Sequence, residues 1–304
     1  MQHAAGIDIG GTKTAIGIID HQGNVIAKKT IPTDQSVNPD VMIDRIADAL
    51  KELLSVNQID ETELLGIGIG APGPLNTKEG TIVEPPNLPG WWNFAIVSSM
   101  KRHFAVPVHF ENDATAAALA EKWLGAAKKA DNFIYITIST GIGAGIYSHG
   151  RLITGATGNA GDVGHLVIDP AAGTCVCGQQ GCWEHIASGT AIARQAGLLL
   201  GRDITSREVF DLAAKGHAQM KTLVEQVFHY IGIGCVTLIN TFDPEMLVIG
   251  GGVSQVGDTL FDHIREYVSR HALNPTGRET PVVPAAMLQD AGLIGAAALV
   301  HIPY

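Results

Sequence analysis

The sequence predicts an α/β protein, and three features carry that expectation. Two glycine-turned β-hairpins of the same plan, at 6–20 and 134–147, point to an internal duplication. Between and after them, amphipathic helices alternate with short apolar strands, the pattern of sheets covered on both faces. The segment from Gly161 to Glu184 gathers one histidine and three of the chain's four cysteines, the donors of a tetrahedral zinc site. A length of 304 residues allows one large domain or two ordinary ones.

The first hairpin reads GIDIGGTKTAIGIID from Gly6 to Asp20, with Val25–Ile31 as a third antiparallel strand. Its turn, Gly10-Gly11-Thr12-Lys13, is not a Walker A loop, because GxxxxGK[ST] is absent. A glycine turn can still bring backbone N–H groups onto phosphate oxygens. Asp8 closes the first strand, where a carboxylate can hold Mg²⁺ through water. An ordinary hairpin shares this plan, so one alone says little. The second, Ile134–Tyr147, repeats it through Ser139-Thr140-Gly141 and Gly143. Two such turns facing each other across a cleft would clasp a polyphosphate from both sides.

Apolar spacing predicts a helix over Pro39–Val56 and a near-continuous apolar strand over Leu64–Gly70. That strand runs into Ala71-Pro72-Gly73-Pro74, exposing backbone at a strand's carboxyl end, where ligands of such sheets bind. The loop Val83–Phe94 holds three prolines, Asn87 and the pair Trp91-Trp92. The tryptophans suit a sugar platform, although packing beneath the loop is expected for at least one. A strand at Val106–Phe110 leads through Glu111-Asn112-Asp113 into a helix over Ala114–Leu124. Asn112 and Asp113 fit a helix cap. They equally fit a general base with a hydroxyl reader, and the spacing leaves both roles open.

In the cysteine segment, His165, Cys175, Cys177 and Cys182 form a closed set of four donors, so the metal is expected to be structural. Gly173, Gly178 and Gly181 allow the chain to wrap tightly around an ion. A disulfide with one thiol left over is the competing arrangement; the odd third thiol and the absence of a secretory signal count against it. Asp162 and Glu184, at the two ends, would be held rigidly enough to grip a ligand. Helical periods then cover Thr190–Leu200, Ser206–Lys215 and Ala218–Phe242, the last with Cys235 as a core thiol. A strand over Met246–Ile249 opens into Gly250-Gly251-Gly252, a turn that admits a base or ribose closely. A helix over Gly257–Leu273, a strand over Pro281–Ala286 and a small-residue helix over Ala291–His301 complete the chain.

A net charge of −10 without a lysine or arginine cluster gives no support for nucleic acid as a partner. The opening MQHAAGIDIGG lacks the basic and apolar regions of an export signal. No apolar run reaches the ~18 residues of a membrane span. A cytoplasmic location without a membrane partner is expected.

These motifs together resemble the ROK family (repressors, open reading frames, kinases) over essentially the whole chain. Asp8-Ile9-Gly10-Gly11-Thr12 resembles its first phosphate motif, Ser139-Thr140-Gly141-Ile142-Gly143 its second and Gly250-Gly251-Gly252 its adenosine motif. His165…Cys175-x-Cys177-Gly178-x-x-Gly181-Cys182-x-Glu184 resembles its zinc signature. The resemblance implies a two-domain actin-like (ribonuclease H-like) ATPase fold with a central cleft. The smaller domain would span 1–114 plus 290–304, and the larger 115–289 with the zinc site. It implies ATP-dependent phosphorylation of a hexose at the 6-hydroxyl, with glucose the leading substrate and N-acetylmannosamine, fructose, allose or mannose as alternatives. Asp113 would be the general base, and Gly73, Asn87, Asn112, Asp162, His165 and Glu184 would join it in holding the sugar. Asp8, Gly10, Gly11, Thr12, Lys13, Thr140, Gly141, Gly143, Gly251 and Gly252 would hold ATP with Mg²⁺, and Zn²⁺ would be structural. A homodimer, or a dimer of dimers, is implied as well. With the first strand in the opening residues, no DNA-binding domain is expected ahead of it, which favours a kinase over a repressor. The competing reading is a non-catalytic sugar sensor of the same fold. Three positions depart from the family pattern: Asp162 stands where its kinases commonly carry Glu, and Ser139 and Ala144 where Gly is frequent.

Overall fold

In the first sheet an alternation of isoleucine and glycine decides which face carries which layer. The computed structural model describes residues 3–287 and 290–302. It opens with β1 (His3–Ile9), β2 (Lys13–Asp20) and β3 (Val25–Pro32), an antiparallel run. Asn38 then starts α1 (Pro39–Val56): its side chain accepts the N–H of Asp40 at 2.9 Å, and a proline fills the first turn. β4 (Leu64–Ala71) pairs parallel with β1. A two-stranded ribbon of β5 (Leu75–Asn76) and β6 (Thr81–Ile82) follows, then α2 (Ile96–Met100). β7 (Val108–Asn112) pairs parallel with β4, and α3 (Asp113–Trp123) leaves its end.

Successive strand residues point to opposite faces. Ile7, Ile9, Ile16, Ile18, Ile67 and Ile69 therefore share a face, and they pack with Met42, Ile43, Ile46 and Leu50 of α1 in one core. Each such side chain contributes about 1.5–3 kcal/mol when fully buried. The other face carries Gly6 and Gly68, and the final helix α9 (Ala291–His301) lies against it. A methyl at Gly68 would overlap the backbone carbonyl of Ala296, and one at Gly6 that of Leu293. The helix, rich in alanine and glycine, can thus approach the sheet at backbone distance and still bury Leu293 and Ala297 on Ala4 and Ile19.

The remaining elements are β8 (Phe133–Ile138), β9 (Ile142–Ser148), β10 (Arg151–Leu152), α4 (Trp183–Ala187), α5 (Gly189–Leu200), α6 (Ser206–Ala214), α7 (Ala218–Phe242), β11 (Met246–Gly250), α8 (Asp258–His271) and β12 (Val282–Pro284). The first sheet runs β3-β2-β1-β4-β7 and the second β10-β9-β8-β11-β12. In each, a hairpin partner is antiparallel and the next two strands are parallel. The duplication expected from the two hairpins therefore extends to whole sheets. By length and composition α7 could cross a membrane, whereas the sequence reading found no such run; 61% of that stretch is buried inside the protein. Polar residues such as His229, Thr237 and Asn240 interrupt it, and it packs against α4, α6 and α8.

The chain divides into two compact units: Met1–Lys128 with Arg151–Ala160 and Met287–Tyr304, and Lys129–Gly150 with Gly161–Ala286. The first boundary lies beyond the expected residue 114, because α3 is one unbroken helix packed along α9. Similarly, the strand expected at Val106–Phe110 runs two residues later, as its pairing with β4 continues to Ala71 opposite Asn112.

Candidate active site and metal centre

In the first unit the candidate residues gather at the carboxyl ends of β1, β4 and β7, as parallel-sheet topology requires. The Gly10–Lys13 turn closes with the N–H of Gly10 on the Lys13 carbonyl at 2.9 Å, leaving Thr12 and Lys13 exposed. Asp8 stands beside it, its carboxyl pushed up to about 6 by burial. The nearby charge of Asp113 pushes the same way, and Lys13 opposes both. Two carboxylates within electrostatic reach, one of them poorly hydrated, make a place that a divalent cation would relieve.

At the end of β7 the choice between cap and chemistry resolves by residue. Asn112 is the cap: its Oδ1 accepts the N–H of Ala114 at 2.9 Å and of Thr115 at 3.4 Å. That fixes the side chain with Nδ2 turned toward Gly73, where a methyl would come within 3.5 Å of it. Asp113 begins the helix, exposed, with Oδ1 accepting the Ala114 N–H at 2.7 Å. A helix N-terminus stabilises a carboxylate at this position. Asn87 is exposed, and its carbonyl meets the Gly10–Lys13 turn at Gly11. Trp91 is 1% exposed and packs edge-on against Phe94, while Trp92 is 60% exposed, so the packing role falls to Trp91.

Two residues here escaped the sequence reading. The Nε2 of Gln35 donates to the carbonyls of both Gly11 and Asn87, tying the turn to the proline-rich loop. Asn159 pairs with both main-chain groups of Leu75, accepting its N–H at 2.8 Å and donating to its carbonyl at 2.7 Å. Neither sits in a motif, and nothing in their local sequence marks them.

In the second unit the Ser139–Gly143 turn is surrounded by backbone. The N–H of Ser139 reaches the Gly141 carbonyl at 2.8 Å, and the N–H of Gly189, opening α5, reaches the Ser139 carbonyl at 2.7 Å. Gly251 lies against Ile138 so closely that a methyl would overlap its carbonyl, bringing the Gly250–Gly252 turn beside the hairpin. Glu184 also converges here. Its Oε2 accepts the N–H of Ile142 at 2.8 Å and abuts Gly141, so it braces the second hairpin with one oxygen. Asp162, His165 and Glu184 lie within electrostatic range of one another. Partial desolvation lifts the carboxyl of Asp162, the charge of His165 opposes that shift, and the charge of Glu184 adds to it.

The metal donors converge as expected. The ligand atoms of His165, Cys175, Cys177 and Cys182 all lie within 4.8 Å of one another. Cys177 and Cys182 have sulfurs 3.5 Å apart, well beyond a disulfide's ~2.05 Å, and all the cysteines are free. Cys175 lies 3.7 Å from Nδ1 of His165, so Nε2 is on the far side of the ring. The expected glycine turns are present, with φ of 96° at Gly173, 89° at Gly178 and 74° at Gly181. An N–H of Gln179 favours the thiolate of Cys177, bringing it to about 7, whereas burial pushes Cys182 up to about 12. Three sulfurs and one imidazole at this spacing fit zinc.

A sheet plan repeated in both units, a glycine-rich turn in each hairpin and a Cys₃His centre fit the α/β fold class of the ROK sugar kinases. The ROK family profile matches residues 4–302. A glucokinase of Halalkalibacterium halodurans is 36% identical, covering 97% of this chain and 94% of its own. An N-acetylmannosamine kinase of Citrobacter koseri is 35% identical over 96% and 97%. The crystal structure of a ROK family glucokinase from Streptomyces griseus, in complex with glucose and AMPPNP, superposes with a TM-score of 0.81 at 32% identity, covering 98% of both chains. The chain belongs to the ROK family.

Proposed function

We propose that the protein is an ATP-dependent hexose kinase that transfers the γ-phosphoryl group of ATP to the 6-hydroxyl of a hexose, with glucose as the leading acceptor. The observation that carries this reading is Asp113. It is an exposed carboxylate at a strand's carboxyl end, on the first turn of α3, beside an Asn112 already fixed as the cap. A relative that phosphorylates nothing would have no need of that carboxylate together with two phosphate turns. The glucokinase relatives and the glucose and AMPPNP complex support the same activity.

The chemistry follows from positioning. Asp113 accepts the proton of the 6-hydroxyl as that oxygen bonds to the γ-phosphorus; the bond from phosphorus to the bridging oxygen breaks, and ADP leaves. Phosphoryl transfer demands mainly alignment and charge stabilisation. Backbone N–H groups of the Gly10–Lys13 and Ser139–Gly143 turns receive the phosphates, with Gly251 and Gly252 beside the nucleoside. Asp8 would hold Mg²⁺, which would supply neutralisation of phosphate charge. Asn87, Asn112, Gly73, Asp162, Glu184 and Nε2 of His165 hold the ring hydroxyls. His165, Cys175, Cys177 and Cys182 would hold Zn²⁺, which would supply a rigid cross-link in that loop. A homodimer, or a dimer of dimers, working in the cytoplasm is the assembly the family resemblance favours, and sedimentation would test it.

An N-acetylmannosamine kinase at nearly the same identity keeps a second acceptor in view. Asp162 is the residue to decide between them, since changed donors at hydroxyls one and two alter which sugar fits. The test is ADP release with Mg-ATP against a panel of hexoses and N-acetylhexosamines. Turnover of one sugar is expected, and Asp162→Glu should reorder the panel. Zinc-loaded, folded protein that turns over none of them would favour the sugar-sensor reading.

A further inference from the structure

Glu121 lies two turns along α3 from Asp113 and is 1% exposed. Both of its carboxylate oxygens accept main-chain N–H groups, one from five residues on and one from far along the chain. Oε2 accepts that of Ala126 at 2.7 Å, and Oε1 that of Met287 at 2.8 Å. Its own carbonyl accepts the N–H groups of Gly125 at 3.1 Å and Ala127 at 3.2 Å. Gly125 sits so close that a methyl there would overlap the carboxylate. These amides mark two passages of the chain: its first departure from the first unit, after Lys128, and its last return, at Met287, with Arg151–Ala160 belonging to the unit in between. The helix that starts with the candidate base therefore ends in a knot that joins the outgoing and returning segments.

Ending a helix needs no such group, since a backbone turn or one amide side chain suffices. A carboxylate offers acceptors at both oxygens, whereas glutamine would present an N–H to one of the two donors. Buried groups left unpaired in that way are costly. The double-acceptor geometry is what selects glutamate here.

We propose that Glu121 is a positioning residue for phosphoryl transfer, locking α3 to both crossing segments so that displacement of either is delivered to Asp113. The inference rests on the kinase reading for its catalytic consequence but has a readout of its own. The experiment compares Glu121→Gln and Gly125→Ala with the wild type, by steady-state kinetics and by amide hydrogen exchange. Gly125→Ala displaces the carboxylate without changing charge, so it separates geometry from electrostatics.

Both variants are expected to lose about 10–100-fold in kcat, the scale of a small misplacement of reacting groups. KM should move with kcat, as it does at segments that absorb conformational change. Exchange should quicken at Ala126 and Met287, and also at Ala114 and Thr115, whose N–H groups bond Asn112 at the other end of the helix. A lowered Tm with unchanged kcat and KM would overturn the proposal. So would faster exchange confined to Ala126 and Met287, for that is local support only. If the wild type phosphorylates no hexose, the kinase reading fails, while exchange at Ala114 and Thr115 still decides the coupling.

Discussion

Asp113 and Glu111 sit two residues apart at the end of one strand, yet their surroundings give them opposite chemistry. Asp113 is exposed at a helix start, a position whose dipole favours a carboxylate. Asp113→Asn should cut kcat by about 10²–10⁴-fold. Sugar affinity measured by calorimetry should stay within about twofold, because the asparagine keeps an oxygen at the same place. Glu111 is 4% exposed, burial pushes its carboxyl up to about 7, and Oε2 has no hydrogen-bond partner among the described residues. Its folded value lies above the ordinary 4.5, so the folded state holds a proton that the unfolded chain releases between pH 4.5 and 7. Stability must therefore fall as pH rises through that window, and the full penalty remains above pH 7. Glu111→Gln should stabilise the protein at pH 8 by roughly 1–3 kcal/mol, an advantage that vanishes below pH 4.5 in denaturant titrations. The sequence allowed Asn112 and Asp113 either role; which one caps depends on the bend of the chain out of β7, and no spacing rule carries that. Glu111 could not be singled out, since its burial depends on layers far away in the chain.

At the level of elements, the long helices and central strands were readable because each repeats its own period. α1 and α7 begin and end where their apolar spacing does. The β5–β6 ribbon, α2 and α4 were missed, being two to five residues long and too short to show any period. The metal donors were legible from residue type alone, but the link from that segment to the second hairpin was not. Glu184, on the first turn of α4 and two residues after Cys182, accepts the N–H of Ile142, so the Cys₃His loop and the Ser139–Gly143 turn are braced as one. Stripping the metal with a chelator, or Cys177→Ala, should accordingly weaken sugar and nucleotide together and lower Tm. Calorimetric titration of both ligands before and after chelation checks this; loss confined to the sugar would separate the two elements. Gly141→Ala tests the same brace from the other side. Its methyl meets Glu184, and the KM for ATP should rise about tenfold or more as the turn is pushed aside.

Over the whole molecule, the repeated sheet order was foreshadowed by the two hairpins, whereas the placement of α9 was not derivable from periodicity. Its composition is apolar all round, so no stripe says which surface it covers. The resemblance to actin-like proteins supplied the expectation, and the glycines opposite it supply the reason. Gly68→Ala should destabilise the protein by about 3 kcal/mol or more, measured by chemical denaturation, because the added methyl meets backbone that cannot rotate away. The contact also orders events in time. α9 is encoded at 291–301, yet it covers a sheet whose strands lie between residues 3 and 112. Ribosomes add about 5–20 residues per second, so the glycine-lined face of the first sheet waits many seconds, uncovered, for its final layer. The second unit, complete by Ala286, emerges with all of its parts first. During biosynthesis the half that is made first is therefore the half that matures last, and the nascent chain depends on its closing stretch to shield its opening one.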